Sequence, residues 1–169
     1  MPAQEDARPV FLPIIIGTPR QGRLTEPAAN FVFGEVSKRS DIKTELIDIR
    51  KIPIRVDDAG EALKDKKFCA TVQRADGLII VAPEYNHSFP GLLKHILDSC
   101  LKEYIHKAAG IVGVSASLFG GARVIEHFQP VLRDGRARRR SDHRGTGIQS
   151  QFPRIAEASA GYKSQGIRS

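Results

Sequence analysis

Apolar residues occur along the chain in two patterns, short uninterrupted runs and longer stretches with helical spacing. Three uninterrupted runs contain many β-branched residues and cover residues 10–16, 76–82 and 108–115. Runs of this kind predict strands that are buried on both faces, as in a parallel sheet. Residues 43–49 alternate between polar and apolar side chains, which predicts a strand nearer the edge of the sheet.

Helical spacing follows each predicted strand. Apolar positions three and four residues apart predict helices over residues 28–36, 61–74, 92–101 and 124–132. Alternating strands and helices predict an α/β fold with a doubly wound parallel sheet. Because Pro13 lacks an amide donor, we expect the first strand to pair fully only from Ile14. Ligands of such sheets bind beyond the carboxyl ends of the strands.

The first loop, residues 17–25, combines glycines, hydroxyls and arginines between a strand and a helix. Backbone amides and the positive end of the helix dipole favour an anion there, and the side chains add donors. The loop matches neither the Walker pattern nor the Gly-x-Gly-x-x-Gly of dinucleotide-binding folds. It therefore predicts a phosphomonoester site. The alternative is a helix capped by Thr25 with exposed arginines.

The second loop, residues 81–91, carries Tyr85 between two prolines. A planar aromatic on a stiff loop can stack on a flat heterocycle while neighbouring amides bind its rim. The alternative is a plain turn with a surface tyrosine. The third loop, residues 115–123, contains paired glycines that allow backbone to approach a ligand closely, or simply form a tight turn. Together the three loops predict one ligand with a phosphate and a flat ring system.

Positive charge is concentrated at one end of the chain. Residues 1–132 hold 17 Lys and Arg against 16 Asp and Glu, whereas residues 133–169 hold 9 against 3. The net charge of +7 therefore belongs to the tail and does not indicate a nucleic-acid interface across the fold.

No run approaches the roughly 18 apolar residues of a membrane span, and no secretory signal pattern is present, which predicts a cytoplasmic protein. Cys69 and Cys100 lie in helix-like segments without a second cysteine at metal-ligand spacing. We expect both to be buried structural residues, and we predict no metal site.

Three groups of residues, one on each loop, carry a family resemblance. They are Gly17-Thr18-x-Arg20 with Arg23 and Thr25, then Pro83-Glu84-Tyr85-Asn86 with Pro90-Gly91, and Ser115 with Gly120-Gly121. They closely resemble the NADPH-dependent FMN reductase family of flavodoxin-like proteins, which includes quinone, azo-dye and chromate reductases. The resemblance extends over residues 10–133.

The resemblance implies an FMN cofactor, with NADPH or NADH as co-substrate. It assigns the FMN phosphate to Thr18, Arg20, Arg23 and Thr25. It assigns the isoalloxazine ring to Pro83, Glu84, Tyr85 and Asn86. It assigns the border of the ring to Ser115, Gly120 and Gly121.

The reaction that the resemblance implies is hydride transfer from NAD(P)H to N5 of FMN and on to a flavin, quinone or similar acceptor. Because the cofactor carries this chemistry, no catalytic side chain is assigned. His87, His95 and His106 are interpreted as loop or helix-surface residues. The family also implies a homodimer or homotetramer.

The resemblance ends near Arg133. Family members continue into a fifth strand and a last helix, whereas residues 135–169 have no apolar period and the composition of a disordered segment. We therefore divide the chain into an FMN-binding domain, residues 1–134, and a basic tail, residues 135–169. The tail is either a polyanion-binding appendage or the product of a shifted reading frame, and we favour the second. A missing edge strand predicts reduced stability and weak FMN binding.

Two other functions fit the sequence. A flavodoxin-like module without turnover would bind FMN but would oxidise NAD(P)H no faster than free flavin does. A protein that binds polyanions through its tail would lose affinity steeply with salt and would lose binding on truncation at Arg133.

Overall fold

A computed structural model describes residues 8–53 and 65–137, with side chains described as far as residue 131. The strands are β1 (Val10–Phe11), β2 (Ile14–Ile16), β3 (Ile42–Lys43), β4 (Leu46–Asp48), β5 (Gly77–Pro83) and β6 (Ala108–Val114). The α-helices are α1 (Thr25–Ser37), α2 (Lys66–Arg74), α3 (Gly91–Asp98) and α4 (Ala122–Ala137). Single turns of 3₁₀ helix lie at Ile49–Lys51 and Lys102–Tyr104.

Four parallel strands form the main sheet in the order β4-β2-β5-β6. Numbered along the chain from β2, this order is 2-1-3-4, which is the start of the flavodoxin-like order. The doubly wound α/β prediction is therefore confirmed. The alternating residues 43–49 contribute β4, which lies at an edge of the described sheet, as predicted.

Pro13 divides the first predicted strand into two pieces. β1 pairs with β3 in a separate two-stranded ladder, and β2 enters the main sheet at Ile14. The expectation that full pairing begins at Ile14 is confirmed. The two ladders remain continuous, because the Leu12 and Ile14 amides donate to the carbonyls of Lys43 and Glu45 at 2.9 and 2.8 Å.

The main sheet is covered on both faces, and β2 shows how. Ile15 joins a core with residues of α2, α3 and α4, including the fully buried Phe128. Ile14 and Ile16 point to the opposite face, where they pack with Ala29 of α1. Uninterrupted apolar strands are what this two-sided burial requires.

Cys69 and Cys100 are both buried, as expected, and they also form a disulfide with a Cα–Cα distance of 5.7 Å. The bridge joins α2 to Cys100, the second residue after the end of α3. The sequence prediction that α3 continues to residue 101 is wrong: the helix ends at Asp98, and the Leu101 side chain is exposed. Covalent attachment of Cys100 to α2 accompanies this early end.

Three predictions fall wholly or partly on residues outside the described ranges. These are the loop and helix start over residues 54–64, the absence of a fifth strand and last helix, and the disordered tail. The predicted domain boundary at residue 134 falls within α4, which continues to Ala137, so the division stays a prediction. Among the described helices, none has the length and apolar character needed to cross a membrane.

Candidate functional site

The first loop leaves β2 in close contact with its neighbours. The Gly17 amide donates to the Val81 carbonyl at 2.8 Å. A Cβ atom at Gly17 would lie 2.7 Å from Leu93 Cδ2 and 2.9 Å from the Val81 oxygen, so only glycine fits. Further along, Gly22 has a φ of +63°, in the left-handed region that glycine adopts without strain. The loop is thus held tightly at its start and turned at Gly22.

Arg23 fastens the first loop to the end of β4. Its guanidinium donates to both Asp48 carboxylate oxygens, at 2.9 and 2.7 Å, and also to the Thr18 carbonyl. The Arg23 side chain is only 1% exposed. The hydrogen bonds raise the pKa of Arg23 and lower the pKa of Asp48. Arg23 was assigned to the phosphate, but these contacts favour a positioning role within the protein.

The amino end of α1 contains an unsatisfied hydroxyl. Thr25 is the first residue of α1 and is fully buried, and its Oγ1 has no hydrogen-bond partner in the described part of the chain. No side chain caps the helix, because Leu24 occupies the N-cap position. The capped-helix alternative is therefore wrong. A buried hydroxyl without a partner at the positive end of a helix suits an anion with several acceptor oxygens.

The second loop is a tight turn. β5 extends to Pro83 and α3 begins at Gly91, while the amides of Tyr85 and Ser88 donate to each other's carbonyls at 2.8 and 3.0 Å. Asn86 and His87 between them have φ values of +49° and +65°. Two central residues with positive φ define a type I′ turn. Asparagine and histidine are both enriched among the non-glycine residues with positive φ, although the conformation still costs energy at each of them.

Tyr85 lies where the first and second loops meet. Its hydroxyl is 3.3 Å from Thr18 Oγ1, and the Arg20 guanidinium lies 4.1 Å from the centre of its ring. A cleft of about 500 Å³ opens here, lined by residues 18–20 of the first loop and by residues 85, 86 and 88–91 of the second. Its size is that of a cofactor pocket.

α4 supports the second loop through three side chains. Arg123 donates to Glu84 Oε1 at 3.1 Å and also contacts Nδ1 of His87. One turn later, His127 Nδ1 lies 2.9 Å from the Ser88 hydroxyl. The Phe128 ring stacks on the ring of Phe89, with centroids 4.2 Å apart.

The third loop lies outside this cleft. Ser115 Oγ accepts from the Ser117 amide at 3.1 Å. The close approach predicted for the glycines takes place within the protein, since a Cβ atom on Gly121 would lie 2.7 Å from the carbonyl carbon of Gly113. Gly120 has a φ of +57° and nothing within 4 Å of a Cβ position, so it remains open to a ligand. The packing of Gly121 against Gly113 thus explains a glycine at this position without a ligand, whereas Ser115 and Gly120 remain predicted ligand contacts.

Comparison with known proteins assigns the family. The sequence profile of the NADPH-dependent FMN reductases matches residues 12–139. The chain belongs to this family. An NAD(P)H-dependent FMN reductase of Pseudomonas aeruginosa is 33% identical over 125 residues, which cover 70% of this chain and 66% of the relative. A 2-hydroxy-1,4-benzoquinone reductase of Burkholderia is 28% identical, covering 70% and 67%. The chain thus spans about two thirds of the length of these curated relatives.

Solved structures show the same fold. The apo form of an NADH:FMN oxidoreductase superposes with a TM-score of 0.61 at 25% identity, covering 75% of this chain and 69% of the other. The NAD(P)H:acceptor flavoenzyme FerB of Paracoccus denitrificans superposes with a TM-score of 0.63 at 19% identity, covering 75% and 72%. The flavodoxin-like fold of this FMN reductase family member is therefore confirmed.

The residues present fit FMN. The unsatisfied Thr25 hydroxyl at the end of α1 suits the phosphate. The cleft beside Tyr85 is lined by residues 18–20 of the same first loop, a few residues before Thr25. In the described ranges, no group of three or more His, Cys, Asp or Glu side chains is arranged to hold a metal.

Sequence reasoning missed Arg123, His127 and Asp48. Arg123 was interpreted as the last residue of the third loop, and His127 lies on a helix that was interpreted only through its apolar positions. Asp48 is the partner of Arg23. It could have been found from its position at the end of an edge strand, because that strand pairs with the one that leads into the first loop.

Proposed function

We propose that the protein is an FMN-dependent NAD(P)H oxidoreductase that passes hydride to a flavin, quinone or similar small acceptor. Family membership supports this function, and the observation that carries it is the buried Thr25 hydroxyl without a partner at the start of α1. A buried donor left unsatisfied costs about 1–3 kcal/mol, which a phosphate acceptor would recover. The family match does not favour the alternatives of a non-catalytic flavin module or a polyanion-binding protein.

The proposed roles follow the three loops. Thr18, Arg20 and Thr25 would hold the phosphate, and Arg23 would hold the first loop in place. On the ring side, the proposed contacts are Pro83, Glu84, Tyr85, Asn86, Ser115 and Gly120.

FMN, when bound, supplies hydride acceptance and delivery. The type I′ turn, which carries Tyr85 and Asn86 to the cleft, would orient the ring. A hydrogen bond between the Thr18 and Tyr85 hydroxyls joins the first loop, which would hold the phosphate, to the second loop, which would hold the ring. No side chain needs to act as acid, base or nucleophile in these roles, and we propose no catalytic residue.

The first test measures flavin retention and reduction. FMN is added to the purified protein, excess is removed, and NADPH or NADH is added without oxygen while absorbance is recorded. We expect a retained flavin band that bleaches faster than free FMN does. A retained band that bleaches no faster would instead identify a flavin module without turnover, and no retained band would overturn the proposal.

A second test isolates the phosphate. Replacing the Thr25 hydroxyl by a methyl group, Thr25→Val, should weaken FMN binding about tenfold, because one hydrogen bond to a charged group is lost. Riboflavin, which has no phosphate, should bind equally to both proteins. Thr44→Val is the matched control: the Thr44 hydroxyl donates to the Leu12 carbonyl at 2.7 Å, away from the cleft. It should lower stability without changing FMN affinity.

Other features of the proposal follow from the family and its relatives. Quinone and azo compounds are proposed as acceptors, because the names of the relatives include a benzoquinone reductase and an azoreductase. A homodimer or homotetramer in the cytoplasm is also proposed. The exposed side chains of Phe31, Leu118 and Phe119 offer apolar surface that such an assembly would cover. Light scattering on the purified protein distinguishes an oligomer from a monomer.

A further inference from the structure

The second loop is held by a residue that comes much later in the chain. Arg123, in the first turn of α4, donates to Glu84 Oε1 across a separation of 39 residues and contacts His87 on the far side of the turn. Its guanidinium also lies 4.4 Å from the centre of the Phe119 ring. One side chain thus links the second loop, the third loop and α4.

Glu84 depends on this contact. Its side chain is only 6% exposed, and its Oε2 atom has no hydrogen-bond partner in the described part of the chain. A buried carboxylate without a compensating cation is strongly unfavourable. His87 Nδ1 also lies 3.9 Å from Glu84 Oε1, but the His87 side chain is 74% exposed and makes a longer contact than the guanidinium does. Removing the guanidinium would therefore favour a Glu84 side chain turned toward solvent. Because Glu84 immediately precedes Tyr85, this movement would displace the turn that carries Tyr85.

The turn itself needs an external support. His87 has a φ of +65°, and a non-glycine residue in this region is held there by its surroundings. Arg123 contacts the ring of that same residue. The turn therefore carries a backbone strain at His87 and a buried charge at Glu84, and Arg123 contacts both.

We propose that Arg123 is the positioning residue that fixes the ring-side turn, residues 84–88, through Glu84 and His87. One consequence rests on the proposed flavin function: Arg123 should set how tightly the protein binds the isoalloxazine ring, without contacting the phosphate. It also makes a statement about the protein without flavin, namely that Arg123 keeps the hydrogen bonds of the turn closed.

Four variants test the proposal. Arg123→Gln removes the charge, and Arg123→Lys keeps the charge but loses the planar fork. Glu84→Gln/Arg123→Gln removes the buried carboxylate together with its partner. Arg39→Gln is the matched control, because Arg39 forms an exposed pair with Asp41 through the same kind of side chain.

The first measurement is amide hydrogen exchange of Tyr85 and Ser88 in the protein without flavin, since these two amides close the turn. We expect Arg123→Gln to accelerate both at least tenfold, Arg123→Lys to have an intermediate effect, and Arg39→Gln to have none. The double variant should exchange more slowly than Arg123→Gln, because it leaves no uncompensated charge. Unchanged exchange in Arg123→Gln would overturn the proposal.

The second measurement is the affinity for FMN and for riboflavin. Arg123→Gln should weaken both about tenfold and to the same extent, because the effect lies on the ring side. If the unsubstituted protein binds no flavin but Arg123→Gln accelerates exchange, the positioning role stands and the proposed function is wrong. If flavin binds and Arg123→Gln weakens only FMN, the residue acts on the phosphate and the proposal is overturned.

Discussion

The first and second loops lie side by side, but the protein fixes them in different ways. Arg23 of the first loop forms a buried pair with Asp48, at the end of the neighbouring strand, with side-chain exposures of 1% and 17%. The second loop depends on Arg123, which is 33% exposed and comes from the last described helix. The first loop is thus part of the sheet edge, whereas the second rests on a helix added later in the chain.

Because of this difference, we expect substitutions in the first loop and in the second loop to have different effects. The buried pair and the close contact at Gly17 make the first loop inseparable from the folded core. We expect residues 84–88 of the second loop to shift without unfolding the protein, because Arg123 and His127, which hold them, are partly exposed and exposed, respectively. The stacking of Phe89 on the buried Phe128 would keep the end of the loop attached to the core. Damage to the first loop should therefore appear as lost stability, and damage to the second as lost ring binding.

The largest effect is expected at the buried pair. Arg23→Gln leaves Asp48 without its partner and should lower the free energy of unfolding by about 4 kcal/mol, since breaking a buried ion pair costs 3–5 kcal/mol. FMN affinity should fall with it. Urea denaturation followed by circular dichroism measures the change.

The double variant Arg23→Gln/Asp48→Asn provides the control for this substitution. Without an uncompensated carboxylate, it should recover part of the lost stability. A loss below about 1 kcal/mol in Arg23→Gln would show that the first loop is held as loosely as a surface ion pair, and the contrast between the loops would disappear.

The disulfide tests whether the ring side depends on the far end of α3. Cys69→Ser/Cys100→Ser opens a loop closed across 31 residues and should lower the free energy of unfolding by about 3 kcal/mol. Riboflavin affinity should change less than twofold, because Arg123 and the turn are untouched. Denaturation with and without a thiol reductant supplies the control, since reductant should destabilise the parent protein and leave the double variant unchanged. A tenfold loss of riboflavin affinity would contradict the contrast.

Much of this architecture could be predicted from sequence because it is local. Uninterrupted apolar runs predict buried parallel strands, and the strand-to-helix loops then lie at one edge by geometry alone. The break between β1 and β2 could be predicted from Pro13, because proline lacks the amide hydrogen that a strand needs for pairing. Thr18 and Thr25 were selected from the sequence as phosphate-binding hydroxyls, which stays a prediction, and the structure shows both buried.

The remaining features depend on contacts between distant residues. Arg23 and Asp48 meet because Ile16 pairs with Asp48, a register that hydrophobic pattern alone does not determine. The disulfide and the contact from Arg123 to Glu84 join residues 31 and 39 apart. The type I′ turn was missed because Asn-His replaces the usual Asn-Gly, so its conformation comes from tertiary support.

A comparison of two glycines separates the effect of backbone conformation from the effect of room for a side chain. Gly22 in the first loop and Gly34 in α1 both have nothing within 4 Å of a Cβ position, but only Gly22 has a positive φ, of +63°. Gly22→Ala should therefore lower the free energy of unfolding by about 1 kcal/mol, because L-residues are strained there. Gly34→Ala, the matched control, should raise it by about 0.5–1 kcal/mol by removing glycine from a helix interior. Equal signs in thermal denaturation would contradict the assigned conformation of the first loop.

The smallest effect is the response of the first loop to acid. The hydrogen bonds from Arg23 lower the pKa of Asp48 in the folded protein. The stabilisation from this pair is therefore fully present above the ordinary aspartate pKa of about 4 and is lost as the pH falls below it. The stability difference between the parent protein and Asp48→Asn should accordingly shrink between pH 7 and pH 3, while other carboxylates titrate in both proteins and cancel. A difference that stays constant to pH 3 would mean that the pair does not couple to folding, and the first loop would then owe its rigidity to Gly17 and Thr18 alone.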